Sequence, residues 1–213
     1  MTDDERRGFH RPVQRSAATF DRRFGSTDPA EVSRAAHATA AALVTRVREE
    51  PTDEVVARLV AYTDDHGIDT LAELWSQAPG QSLPGALWRL YLLRLMVGGD
   101  PRMAALLYER GRVVNDTADD VIAGVPSPAG PEELAALIDE ILRGVFAGDF
   151  AVALERAASF CRVEAAGALD LADDHDAAEP ERSSALTARA LRLDTYATDL
   201  TSCARLWRRD ALH

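Results

Sequence analysis

Three apolar-periodic stretches of this chain open with a proline one or two residues after a side chain able to cap a helix: Asp28-Pro29, Ser82-Leu83-Pro84 and Asp100-Pro101. The capping oxygen accepts from a backbone N–H of the first turn, and proline loses nothing there because its own N–H would lack a partner. After each start, apolar residues recur at intervals of three and four, the period of a helix with one buried face. Alanine and leucine supply most of the apolar mass and aromatic residues only 6%, which favours helices over strands. The expectation is an all-α multi-helix bundle, with shorter helices in the N-terminal half and a three-helix antiparallel bundle in the C-terminal half.

The first helix opens at Asp28, with a stripe of Val32, Ala36, Ala40, Leu43 and Val47. After the break "EEPTDE", a second runs through Val55, Val56, Leu59 and Val60 toward His66 and Gly67. Thr70 and Glu73 have capping-box spacing and open a short helix with Leu71, Leu74 and Trp75, stopped by "APG". Ser82 then caps the most apolar stretch, "LPGALWRLYLLRLM", and Asp100 caps a helix through Leu106, Leu107 and Tyr108. A turn from Thr117 to Ala123 leads into "GVPSPAGPEE", the one lobe boundary that composition suggests. Beyond it the spacing predicts a helix with the face Leu134, Leu137, Ile138, Ile141, Leu142 and Val145, and another from Asp149 to about Ala172. After the acidic loop "DDHDAAEPE", a last helix carries Leu186, Leu191, Leu193, Leu200, Leu206 and Trp207. The organisation expected is a flexible Arg-rich arm (1–27), an N-terminal helical lobe (28–124) and a C-terminal bundle lobe (131–211), the lobes packed as one domain. No repeat period links the three Leu-Trp pairs, so a solenoid is not expected.

Every one of the 24 basic residues is arginine, and Asn115 is the only asparagine, the composition of a high-GC bacterial genome. With no lysine, a lysine Schiff base or lysine general base is excluded. The net charge is −11, and because residues 1–27 net +2, the remainder carries −13. Such a body repels nucleic acid and anionic membranes. The helix-turn-helix reading of "VAYTDDHGIDTLAELW" fails for the same reason: its second helix would present Asp69, Glu73 and Gln77 to phosphate. Cys161 and Cys203 read as two buried thiols. No secretory signal and no membrane-length apolar run occur, so a cytoplasmic protein is expected.

No motif assigns catalysis. H-E-x-x-H, paired C-x-x-C, G-x-S-x-G and a phosphate loop are all missing, so no catalytic, metal or cofactor residue is named and no cofactor is expected. "DDH" occurs at Asp64-Asp65-His66 and at Asp173-Asp174-His175, both read as solvated helix ends. The informative residues lie in "LPGALWRLYLLRLM". Its apolar side chains spread around the whole helix, which places that helix mid-bundle, yet it carries Arg89 and Arg94 about 140° apart. A buried guanidinium needs a carboxylate or free carbonyls. Either the arginines pair with acids and fix helix packing, or Arg89, Arg94, Trp88 and Tyr91 form an anion or partner contact.

The stretches "LPGALWRLYLLR" and "GVPSPAGPEELAALIDEILRGVFAGDFAVALERAASF" resemble an uncharacterised family of small all-helical proteins from high-GC Gram-positive bacteria, some of whose members are labelled RNA polymerase β subunit. The resemblance implies a helical fold and transfers no site residues. The chain does not support the label, being far too short for a polymerase core and lacking a metal-binding aspartate motif. Three functions stay open: a noncatalytic interaction or adaptor protein with a protein partner or a homodimer face, a transcription accessory factor using the basic arm, and a small-molecule binder or enzyme.

Overall fold

The computed structural model describes residues 28–49, 69–115, 117–124 and 130–213, and among these it is all-α, with eight helices and no strand. The arm 1–27, the helix expected through Val55 to Val60, the first Asp-Asp-His triplet and half of the Gly/Pro boundary lie outside the described residues. The helices are α1 (Pro29–Glu49), α2 (Asp69–Ser76), α3 (Leu83–Gly99), α4 (Pro101–Val114), α5 (Asp119–Ala123), α6 (Pro131–Ala147), α7 (Phe150–His175) and α8 (Pro180–Trp207). None of them is long and apolar enough to cross a membrane.

The proline-marked starts form as their chemistry dictates. Asp28 Oδ1 accepts from Ala30 N, Ser82 Oγ from Gly85 N and Asp100 Oδ1 from Met103 N. Asp149 caps α7 in the same way, through Val152 N at 3.1 Å. One more orphan donor of α3, Leu83 N, is met by the backbone oxygen of His213 at 2.9 Å, which ties the far end of the chain to this helix start. α2 begins at Asp69, so Thr70 lies inside the helix and not at its cap.

The central helix is α7. It is buried on nearly every side from Phe150 to Ala172, and α4, α5, α6 and α8 all pack on it. α3 lies within the bundle as expected, touching α1, α2, α4, α6 and α8. It buries Leu83 to Leu87 and then Leu90, Leu93 and Val97, while Leu95 is half exposed. α7 is rich in alanine and glycine, which lets its four neighbours approach its axis closely.

The closest approach is between α4 and α7, which run antiparallel. A Cβ at Gly111 would overlap the carbonyl oxygen of Val163, and one at Gly167 would overlap the carbonyl oxygen of Leu107. Tyr108 and Phe160, both fully buried, stack beside this crossing with centroids 5.5 Å apart. α8 lies along α7 through a strict seven-residue seam of Ser183, Leu186, Ala190, Leu193, Ala197, Leu200 and Ala204. Such a two-position seam buries only a narrow stripe and leaves the flanks of α8 outward. Leu191 stands off the seam and is 65% exposed. On α6 the expected face holds: Leu134, Leu137, Ile138, Ile141 and Val145 are buried and Leu142 packs against them. One continuous cluster of buried side chains runs from Ala36 to Leu212 and draws on all eight helices.

Candidate functional site

The arginines act chiefly as ties between helices, a role that suits a rigid guanidinium fork which never loses its charge. Arg110 of α4 donates to Asp170 (2.7 Å) and Asp174 (2.6 Å) of α7. Arg156 of α7 reaches Glu140 of α6 (2.8 Å) and the carbonyl of Ala123 in α5 (3.2 Å). Arg48 of α1 donates to the carbonyl of Val145 near the end of α6 and lies over the Trp207 ring, 5.8 Å from its centroid.

Arg89, Arg94, Trp88 and Tyr91 do not converge on one point. Arg89 turns toward α8, where Nη2 is 2.5 Å from Asp199 Oδ2 and the guanidinium carbon lies 5.6 Å from the Tyr196 ring centroid. Its Nη1 donates to the Gly85 carbonyl at 3.0 Å. Arg94 turns toward α6, with Nε 3.3 Å from Asp139 Oδ1. Trp88 and Tyr91 contact each other, centroids 5.6 Å apart. Each arginine thus has a carboxylate, and an external anion at either would have to displace it. Arg94 and Asp139 also border a cleft of about 340 Å³ with Leu95, Gly98, Gly99 and Ala135. Asp199→Ala is expected to cost about 2 kcal/mol, because it strands a largely buried cation with one carbonyl and one ring. Urea unfolding monitored by circular dichroism measures that loss.

Two chemically distinctive places were not legible from motifs. The first is Glu164 of α7, which is fully buried, with Arg189 Nη2 of α8 3.1 Å from its Oε2. Burial pushes its carboxyl up to about 8, against the pull of Arg189. Glu164 Oε1 and Arg189 Nε have no hydrogen-bond partner among the described residues. The pair joins α7 to α8 from inside their interface. The cysteines are equally enclosed: both are free and buried, and burial raises both thiols, Cys203 to about 12.

The second is a groove of about 430 Å³ between α7, α8 and the α4–α5 connection. Its floor is Ala165, Ala166 and Ala190, its apolar edges are Leu169 and Leu191, and Asn115, Thr117, Asp119, Arg162 and Asp194 form its polar border. Helical spacing builds it: residues 162, 165, 166 and 169 form one stripe of α7, and 190, 191 and 194 form the facing flank of α8. Arg162 is already engaged, by Asp119 Oδ1 (2.9 Å), Thr201 Oγ1 (3.3 Å) and Ser159 Oγ (3.4 Å). Asp119 is fixed in turn by the Thr117 hydroxyl at 3.0 Å. Leu169 and Leu191 stay 47% and 65% exposed. The signal that marks Leu191 is the heptad count on α8, which puts it one residue past the seam position Ala190.

His175, from the second Asp-Asp-His triplet, pairs with Glu179 one turn on (3.1 Å), and Asp174 is taken by Arg110. Among the described residues no three His, Cys, Asp or Glu side chains are grouped to hold a metal ion. Comparison of the chain with protein-family models, curated proteins and solved structures finds no match to any of them.

Proposed function

We propose that this is a noncatalytic interaction protein that takes a helical segment of a protein partner into the α7–α8 groove. The observation that supports the reading is the pairing of two large exposed leucines, Leu169 and Leu191, across an alanine floor at the centre of a cleft. Exposed apolar surface flanking a concave, helix-built groove is what an amphipathic helix requires for docking. A small polar ligand is served less well, because Arg162, the one cation bordering the groove among the described residues, is held by three protein oxygens.

The double variant L169D/L191D tests this. Both side chains project outward, so unfolding free energy should change by less than about 0.5 kcal/mol. Tagged wild type and variant are purified from the native host at low and high salt. The reading expects a partner retained by wild type and missing from the variant, and an identical set of retained proteins from the two would refute it.

A further inference from the structure

The charge around the groove identifies the chemistry of its occupant. On α8 the groove is bordered by Ala190, Leu191 and Asp194, while Arg182, Arg189 and Arg192 lie on other faces of the helix. On the α7 wall the one arginine, Arg162, is neutralised by Asp119 at 2.9 Å. One turn beyond Leu169 stands Asp173, exposed, and Asp194 is exposed on the opposite wall. Among the described residues neither Asp173 nor Asp194 has an arginine within ion-pair distance. An apolar centre is therefore flanked on both walls by acids that have no ion-pair partner among the described residues.

The geometry points to a basic amphipathic helix as the occupant: a partner segment whose apolar stripe covers Leu169 and Leu191 and whose flanking arginines or lysines meet Asp173 and Asp194. The inference rests on the groove reading above and adds the charge of the partner. From Arg162 to Asp173 the α7 wall is about 16 Å long, which matches about three turns of a docked helix. Opposite charge on the rim sets orientation and speeds encounter, and it rejects an acidic helix bearing the same apolar stripe.

A displayed library of helical peptides, about four turns long, tests the charge directly. Leucines are fixed at intervals of three and four, and the flanking positions are drawn from arginine, glutamate and serine. The library is panned on the immobilised full chain and counter-panned on L169D/L191D. Retained peptides should carry arginine at the flanking positions and bind D173R/D194R at least about tenfold more weakly than wild type. Retention of glutamate- or serine-flanked peptides would overturn the basic partner and leave the groove reading standing. Failure of any peptide to survive counter-panning would overturn both. Sedimentation velocity covers the remaining occupant: a dimer of the wild type that L169D/L191D abolishes would replace the basic helix with a second copy of the chain.

Discussion

Gly167→Ala is expected to lower unfolding free energy by about 3 kcal/mol, a shift of roughly 1 to 1.5 M in the urea midpoint. The new methyl would occupy the space of the Leu107 carbonyl oxygen, and a backbone atom in the middle of α4 cannot step aside as the tip of a flexible side chain can. The helices would have to separate, opening the layer that contains Tyr108 and Phe160. Gly111→Ala meets the carbonyl oxygen of Val163 and should behave the same way. The informative control is Gly98→Ala in α3, where a Cβ meets nothing within 4 Å. There the intrinsic preference of helices for alanine acts alone and should stabilise by up to about 1 kcal/mol. One substitution type with opposite signs at the two sites separates close helix packing from helix propensity.

The second large effect concerns Glu164 and depends on pH. Its folded value, about 8, lies above that of an unfolded glutamate, roughly 4.3, so the native state holds a proton that the unfolded chain has released. The stabilising contribution is fully present below about pH 4.3 and is lost as pH rises through 8, with a slope of up to about 1.4 kcal/mol per unit. Between pH 5 and 8 the wild type should therefore weaken relative to Glu164→Gln, whose amide keeps the Arg189 contact and does not titrate. Arg189→Met should cost about 2 kcal/mol at pH 5, where a neutral carboxyl loses its partner. At pH 9 the cost should grow to about 4 kcal/mol, because a buried carboxylate is then left unpaired. Urea titrations of the three proteins at several pH values measure the slopes.

The starts of helices were written plainly in the sequence, because caps and prolines act within one turn and need no tertiary information. Asp28, Ser82, Asp100 and Asp149 all cap where their chemistry says they should. The face of α6 was equally legible, since a wide apolar stripe on a short amphipathic helix has one way to turn inward. Which helix would be packed most closely was not. Hydrophobicity singled out α3, which does touch five other helices, but close approach rewards small side chains, and Ala157, Ala158, Ala165, Gly167 and Ala168 give α7 the tightest neighbours. Arg89 and Arg94 were recognisable as charges in need of partners, yet Asp199 and Asp139 lie far along the chain, and nothing local announces which acid a fold will bring to them. The groove was hidden for a related reason: Leu191 stands in one leucine-containing run with Leu186 and Leu193, and only the strict seam from Ser183 to Ala204 shows that it is surplus to the core.

A partner seated in the α7–α8 groove is within reach of a photo-crosslinking amino acid placed at Leu191 and out of reach of one placed at Leu106, an exposed leucine on α4. Irradiating native host cells that carry each variant should give one recurring protein adduct from position 191 that is missing from position 106. No adduct from 191, or the same adducts from both positions, would contradict a partner seated there.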